Sequence, residues 1–247
     1  MGVNFRDFLS PLDRARFGFE VAKVDDFTSG IDPLLDQFRA NSVKLVVSRI
    51  PSDDISLLNE LEERGFRIKD TQLTYRYSLK NGTDQPGLES KAFRVRMFEP
   101  ADTDALVRVA MESFSGYGHY AADTKLDPVK CAEIYEDWAR NTCRDPKVAD
   151  QIVVAERDGE LIGYLSFKIK SAGSERYAAG GMGAVLSEHR SLGVFSAIVR
   201  EGLRWGQEIG LAWEEHNVIA ANLPVNHAFI RCGFRTSHSV VTLHGWL

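Results

Sequence analysis

Hydrophobic and polar positions alternate with two different periods in the first eighty residues. Residues 43–48 form the short apolar run of a buried strand, and residues 53–61 place apolar side chains at helical spacing behind two aspartates that suit a helix start. Gly65 is a typical helix end, and residues 72–77 alternate like a strand with one buried face. The pattern therefore predicts a small mixed α/β unit over residues 1–80.

A polar segment rich in turn-forming residues, 81–91, follows this unit, and we interpret it as a linker. Beyond it the periodicity switches repeatedly between that of strands and that of helices, and Asp158-Gly159 between two apolar runs is the strongest hairpin signal. The predicted order is strand, two helices, three strands, helix, strand, helix, strand. This order favours an α/β domain, or an α+β domain with a mixed sheet, over residues 92–247.

A short segment occurs in both halves of the chain. Residues 61–67 and 229–235 each end in Gly-Phe-Arg, after a helical stretch and before an alternating strand. Two interpretations stay open. The N-terminal unit is a truncated copy of the C-terminal half, or the two segments are unrelated helix ends.

Composition and charge limit the classes of protein to which this chain can belong. With 44% hydrophobic and 26% charged residues the chain is typical of soluble globular proteins, and a net charge of −5 without a basic run argues against a nucleic-acid partner. Its three cysteines lack the count and spacing of a disulfide framework or a zinc site. The sequence shows neither a secretory signal nor a segment suited to span a membrane. We therefore expect a cytoplasmic protein without a membrane partner.

The residues with the clearest chemistry lie where a predicted strand passes into a predicted helix. A short polar loop with Arg190 and Gly193 connects the two elements. The free N–H groups of a helix start and a guanidinium both attract a pyrophosphate, and a glycine lets phosphate oxygens approach the backbone. Taken alone, this junction is equally compatible with an ordinary tight connection.

Two motifs in this region resemble one enzyme family. The stretch Val185-x-Ser187-x-x-Arg190-x-x-Gly193 resembles the acyl-CoA signature of GNAT enzymes, V-x-P-x-x-R-x-x-G-x-G/A. Further along, Asn222, Val225, Phe229 and Gly233-Phe234 resemble the family pattern N-x-x-A-x-x-x-Y-x-x-x-G-F. In element order, residues 92–247 are similar to a GNAT acetyltransferase domain. Residues 12–23 also resemble the N-terminal unit of acetyltransferases that act on TDP-linked 4-amino sugars.

The resemblance implies acetyl-CoA as cosubstrate and no metal. It implies that main-chain groups of Ala184 and Val185 hold the pantetheine arm, that Asn222 binds an amide of that arm, and that Phe229 lies beside it. The pyrophosphate would be held by Arg190 and by the N–H groups of Ser191, Leu192, Gly193, Val194, Phe195 and Ser196.

Three departures from the family pattern affect the expected chemistry. Ser187 replaces a proline, and Phe195 replaces a glycine or alanine of the helix start. Phe229 replaces a tyrosine that protonates the leaving thiolate in many members, and a phenyl ring has no proton to give.

Another side chain, or water, must therefore handle the proton, and residues 177–183 also contain no carboxylate to act as a base. The candidates are Glu214 and His216, which period-two alternation places on one strand face with Asn222, and His244 in the last predicted strand.

The sequence defines the binding site for the acetyl acceptor less well than the site for acetyl-CoA. His119 and Tyr120 lie in a loop where this fold builds its acceptor pocket, so the resemblance implies that they contact substrate. The implied reaction is transfer of acetyl to the primary amine of a small molecule, with a nucleotide-linked amino sugar favoured by residues 12–23. Other amines, namely an amino acid, a polyamine or a protein N-terminus, stay open. A second alternative is a module that binds acyl-CoA without catalysis, which Phe229 would suit. A homodimer through the final strand also stays open.

Overall fold

The computed structural model describes residues 5–80, 92–114 and 116–247, so the predicted linker 81–91 lies outside the described residues. The helices are α1 (Pro11–Phe17), α2 (Ile31–Ala40), α3 (Ile55–Glu63), α4 (Thr103–Ser113), α5 (Gly118–Ala121), α6 (Pro128–Arg144), α7 (Val194–Glu208) and α8 (Leu223–Arg231). The strands are β1 (Glu20–Lys23), β2 (Val43–Pro51), β3 (Arg67–Ser78), β4 (Arg94–Met97), β5 (Gln151–Arg157), β6 (Glu160–Ala172), β7 (Glu175–Val185), β8 (Trp213–Ile219) and β9 (Arg235–Trp246). The predicted mixed α/β class and the element order after residue 92 are confirmed, with the four-residue α5 as an unpredicted addition.

The described residues form two compact units that are each assembled from separate stretches of the chain. Unit 1 comprises residues 5–73, 116–131 and 238–247, and unit 2 comprises residues 74–80, 92–114 and 132–237. The contiguous division at residues 80 and 92 stays a prediction.

In unit 1 the strand order is β1-β2-β9-β3. β2 pairs in parallel with β1 and antiparallel with β9. Helix α2 turns one apolar face to the core because its apolar side chains recur at helical spacing, and the buried ones are Ile31, Leu34, Leu35 and Phe38. Since β9 has a strand on each side, the expectation that the final strand offers an edge for a dimer is wrong.

In unit 2, strands β4 to β7 form an antiparallel meander. The turn between β5 and β6 has positive φ at both Asp158 (53°) and Gly159 (85°), which matches the right-handed strand twist, so the predicted hairpin is confirmed. β8 then pairs in parallel with β7, and α4 and α7 both contact β6 and β7. The core under α4 includes Leu106, Ile152, Val154 and Tyr164.

The predicted internal repeat is also present in the structure. Helices α3 and α8 are both nine residues long, and the strands that follow them, β3 and β9, are both twelve. Asp54 and Asn222 cap the two helices with the same backbone angles, and Gly65 and Gly233 both have φ of 87° at the helix ends. The order β1-α2-β2-α3-β3 thus repeats as β7-α7-β8-α8-β9. This repetition supports the interpretation that the N-terminal unit is a truncated copy of the C-terminal half.

Candidate functional site

The junction between β7 and α7 is a loop whose backbone prepares a helix start. β7 ends at Val185, a single 3₁₀ turn follows, and Gly193 is the N-cap of α7 with φ of 81°. A Cβ at Gly193 would meet no atom within 4 Å, so the left-handed backbone, and not crowding, requires the glycine. The loop therefore enters α7 through left-handed backbone at Gly193 and also at Ser191, where φ is 69°.

The first turn of α7 presents unpaired backbone donors. The first hydrogen bond of the helix runs from the N–H of Ala197 to the carbonyl of Gly193, at 3.0 Å. The N–H groups of Val194, Phe195 and Ser196 precede it and have no acceptor within the helix. The remaining residues of the predicted cradle, Ser191 and Leu192, lie in the loop before the N-cap. A partial positive charge collects at this end of the helix.

Arg190 lies on the same loop and is held by the end of β7. Its Nε donates to the carbonyl of Val185 at 3.1 Å. Neither terminal nitrogen of the guanidinium bonds to a residue in the described part of the chain. Arg190 thus adds a permanent positive charge and unused donors beside the N-terminus of α7.

One edge of β7 is left unpaired near this loop. Ala184 and Val185 pair with β6, whereas the pairs between β7 and β8 end at Ala178↔Glu214 and Ala179↔Glu215. Both strands continue past that point, and no further β7–β8 pair occurs among their residues, all of which are described. The strands therefore part over residues 180–185 and leave backbone groups for an extended ligand.

Asn222 does not share the face of Glu214 and His216, so that part of the strand prediction is wrong. β8 ends at Ile219, and Asn222 caps α8, with Oδ1 accepting from the N–H of Val225 at 3.5 Å. The physical reason is Pro224, whose fixed φ suits the first turn of a helix.

Glu214 and His216 form a buried pair on β8. Oε1 of Glu214 lies 2.6 Å from Nε2 of His216, and the side chains are 0% and 4% exposed, respectively. Burial raises the pKa of Glu214, although its bond to His216 acts in the opposite direction. The imidazole packs where β7 and β8 part, since a Cβ on Gly180 would overlap its ring. The predicted pair is thus one hydrogen-bonded unit.

Phe229 packs directly against this pair. Its ring centroid lies 4.5 Å from that of His216, and Tyr75 stacks on it at 5.6 Å. The ring of Phe195 meets Phe229 edge-on at 5.6 Å, so this side chain turns into the apolar cluster. An imidazole therefore adjoins the ring that stands at the tyrosine position of the motif.

The remaining predicted site residues lie together in unit 1. Nδ1 of His244 is 2.6 Å from Oδ2 of Asp123, and Nε2 of His244 is 2.9 Å from Nδ1 of His119. All three side chains are buried. Tyr120 packs on His119 with ring centroids 4.0 Å apart and donates to Asp13 at 3.0 Å. Asp123 is a further member of this cluster that no local feature of the sequence indicates, because its partner His244 lies 121 positions away.

Within the described ranges, no three His, Cys, Asp or Glu side chains converge as metal ligands do. Nor does any helix there combine the length and apolarity needed to cross a membrane.

Comparison with known proteins gives the following matches. The model of the acetyltransferase (GNAT) family matches residues 106–234, just over half of the chain. No match was found among curated proteins.

Among solved structures, the chain is similar to a GCN5-related N-acetyltransferase from Sphaerobacter thermophilus, with 18% identity and a TM-score of 0.59. The alignment covers 86% of this chain and 66% of that protein, which is slightly less than two thirds of that protein's length. A tandem GNAT protein from the clavulanic acid biosynthesis pathway, solved without AcCoA, aligns with 16% identity and a TM-score of 0.64 over 92% of this chain and 75% of that one. A functionally unknown conserved protein from Staphylococcus epidermidis ATCC 12228 aligns with 12% identity and a TM-score of 0.64 over 99% and 98%. At these identities the alignments establish a shared fold.

Proposed function

Because the chain belongs to the GNAT acetyltransferase family, we propose that it transfers an acetyl group from acetyl-CoA to the primary amine of a small molecule. Family membership supports acyl transfer from acyl-CoA. The amine, its chemical class and the residues that handle the proton are our proposal.

The observation that carries the proposal is the arrangement around the start of α7. Unpaired amides of Val194, Phe195 and Ser196 and the guanidinium of Arg190 offer donors to a pyrophosphate. The unpaired edge of β7 over residues 180–185 offers main-chain groups to an extended pantetheine arm. These residues fit acetyl-CoA as a substrate, with the diphosphate at the helix and the arm along the strand.

The reaction then needs a neutral amine and a route for one proton. The amine nitrogen attacks the thioester carbon, the C–N bond forms, the C–S bond breaks, and the proton lost by nitrogen equals the proton gained by sulfur. We assign the proton for sulfur to His216, with Glu214 as its partner, because His216 adjoins Phe229 in place of the missing tyrosine hydroxyl. His244, the other histidine predicted as catalytic, is the alternative.

A nucleotide-linked amino sugar is the acceptor that we favour. This choice rests on the resemblance of residues 12–23 to the amino-sugar acetyltransferases. On the acceptor side we propose His119 and Tyr120 of unit 1 as contact residues. One alternative is acetylation of another amine. The other is acyl-CoA binding without turnover, which is motivated by Phe229.

The test measures thiol release from acetyl-CoA with a panel of amines: TDP-linked amino sugars, amino acids, polyamines and short peptides. Calorimetry with acetyl-CoA runs in parallel. Release confined to the sugars supports the proposal, and release with another class keeps the reaction while refuting the sugar. Tight acetyl-CoA binding with no release from any amine would favour the binding module.

The proton assignment is tested on the same assay with His216→Gln and His244→Gln. We expect His216→Gln to lower kcat by about a hundredfold or more, with acetyl-CoA affinity retained, because general acid catalysis typically contributes at least this factor. An equal loss in His244→Gln alone would transfer the role to His244.

A further inference from the structure

The buried pair of Glu214 and His216 in unit 2 shares one proton, which lies in the hydrogen bond between Oε1 and Nε2. If the pair has no other proton, its net charge is −1 and Nδ1 of His216 is a bare lone pair. A second proton makes the pair neutral. That proton belongs on Nδ1, because Oε2 of Glu214 is enclosed and has no acceptor beside it in the described part of the chain. The charge of the pair therefore decides whether Nδ1 can give a proton.

The surroundings of Glu214 oppose a negative charge on its side chain. The residue is fully buried, and its Oε2 receives no hydrogen bond from any residue that the structure describes. A buried carboxylate oxygen without a donor is costly, whereas the carbonyl oxygen of a neutral acid costs far less. Burial is also the largest influence on the pKa of Glu214 and raises it. The shared proton therefore belongs to Oε1, and Nε2 of His216 accepts it as a hydrogen bond.

The neighbouring groups of unit 2 do not compensate a carboxylate at this place. Burial raises the pKa of the Cys232 thiol at the end of α8, and a charge on Glu214 raises it further. Arg200 of α7 acts on Cys232, and it is not among the groups that lower the pKa of Glu214. Aromatic rings pack around the imidazole, namely those of Phe167, Phe229 and Phe234. These contacts favour a pair without net charge.

Nδ1 of His216 faces the part of β7 where the two strands separate. Of the ring atoms, it lies nearest to the position that a side chain at residue 180 would occupy. Gly180 is the first residue of the unpaired edge over residues 180–185. Nδ1 bonds to no residue of the described ranges, yet it is not one of the fully enclosed polar atoms without a partner, so it reaches the surface. A proton on Nδ1 is thus presented to a ligand at the end of this edge.

We propose that Glu214 is a neutral carboxylic acid at rest, which positions a proton on Nδ1 of His216 and replaces that proton from Oε1 when it leaves. The inference rests on the proposed function, in which His216 gives the proton to sulfur. As the C–S bond breaks, Nδ1 gives its proton to sulfur, the proton on Oε1 moves to Nε2, and Glu214 takes the negative charge. The proton that the amine loses returns to Nδ1 and reverses both shifts. The imidazole stays neutral throughout.

The first test reads the proton positions without turnover. In protein labelled with ¹⁵N-histidine, NMR at neutral pH should show His216 with a proton on Nδ1 and an unprotonated Nε2 that accepts a hydrogen bond. The infrared difference spectrum between wild type and Glu214→Gln should contain the carbonyl band of a protonated carboxylic acid. A bare Nδ1, a proton on Nε2, or the absence of the acid band would each overturn the inference.

The second test uses thiol release with whichever amine of the panel is acetylated. Glutamine at position 214 can still donate to Nε2 of His216 and keep the proton on Nδ1, but it has no proton to replace the one that leaves. Glu214→Gln should therefore lower kcat about a hundredfold or more, with the dissociation constant for acetyl-CoA unchanged. Glu215→Gln is the matched control, because the next carboxylate on β8 pairs with Arg76 and not with His216. It should keep the wild-type kcat.

The solvent isotope effect separates the replacement of the proton from a merely structural role. In mixtures of H₂O and D₂O, the single-turnover rate of wild type should fall along a curve, because two protons move together. The residual rate of Glu214→Gln should fall linearly, because only the proton on Nδ1 moves. A linear dependence in wild type would leave Glu214 with a structural role and refute the inference.

The two proposals fail in different ways. An unchanged kcat in Glu214→Gln, or an equal loss in Glu215→Gln, would refute the role of Glu214 while acyl transfer stands. Wild-type protein that releases no thiol with any amine would refute the proposed function, and the NMR and infrared spectra would still decide whether Glu214 is a neutral acid.

Discussion

Acid should destabilise unit 1 through His119, and the substitution His119→Asn should remove the part of that sensitivity that His119 contributes. The hydrogen bond between His119 and His244 needs one nitrogen that accepts, so it is lost when both rings are protonated, and burial disfavours a charge on either ring. In the folded protein burial keeps both rings neutral, whereas in the unfolded chain both take up a proton below about pH 6.5. Because the unfolded state binds more protons, the free energy of unfolding falls as the pH falls.

The size of the effect follows from the shift at His119. With a folded pKa of about 2 against an ordinary value of 6.5, stability falls by about 1.4 kcal/mol per pH unit below 6.5, or about 2 kcal/mol on going from pH 8 to pH 5. His244 adds a loss of the same sign. The charged groups around the two rings are Lys23, Arg49, Lys69, Asp70 and Asp123. Asp123 has a lowered pKa, so its own contribution is lost only below about pH 4.

Urea unfolding between pH 8 and pH 5 measures this slope. Of the four tryptophans, Trp246 alone lies in unit 1, so the ¹⁹F signal of fluorotryptophan at this position reports on that unit. His119→Asn lowers stability at every pH because a ring is lost, but its slope should be smaller by about 1.4 kcal/mol per pH unit. A wild-type free energy that is flat from pH 8 to pH 5, or an equal slope in the variant, would refute the argument.

Three further substitutions test the site in unit 2. Arg190→Gln should weaken acetyl-CoA binding in calorimetry about tenfold to a hundredfold through lost charge-assisted hydrogen bonds, while Arg204→Gln near the C-terminal end of α7 should have no effect; equal losses would refute the role of the loop. Phe229→Tyr places a hydroxyl in an apolar cluster and should cost about 1–3 kcal/mol in thermal unfolding without raising kcat, so a tenfold rise in kcat would contradict the assignment to His216. Gly180→Ala should displace the His216 ring and cost about 1–3 kcal/mol, and a variant as stable as wild type would show that the packing is looser than described.

Local sequence signals predicted the elements that depend on neighbouring residues. The hairpin at Asp158-Gly159 and the loop that ends at Gly193 both rely on backbone angles that a glycine permits, and such angles are a property of a few adjacent residues. Asn222 was placed on a strand because period-two alternation was extended past Ile219. The Leu-Pro that follows Asn222 was the better signal, since proline early in a helix favours a preceding cap.

The cluster in unit 1 could not be predicted from such signals. His119 and His244 are separated by 125 positions, and nothing in the residues beside either one indicates the other. Their contact depends on the path of the chain that brings residues 116–131 and 238–247 into the same unit. Asp123 is visible as a partner only through that path, whereas the resemblance points to His119 and Tyr120, and the chemistry of its side chain points to His244.

The repeated helix, glycine and strand carry an evolutionary consequence. If one ancestral segment was duplicated, both copies inherited the turn at Gly65 and Gly233, and both kept it. Only the later copy has Arg190 before its first helix, whereas the earlier copy has the acidic pair Asp25-Asp26 in its corresponding loop. The glycine turn is thus common to both halves, whereas the basic loop occurs in one of them, so we expect each polypeptide to take up a single molecule of acetyl-CoA.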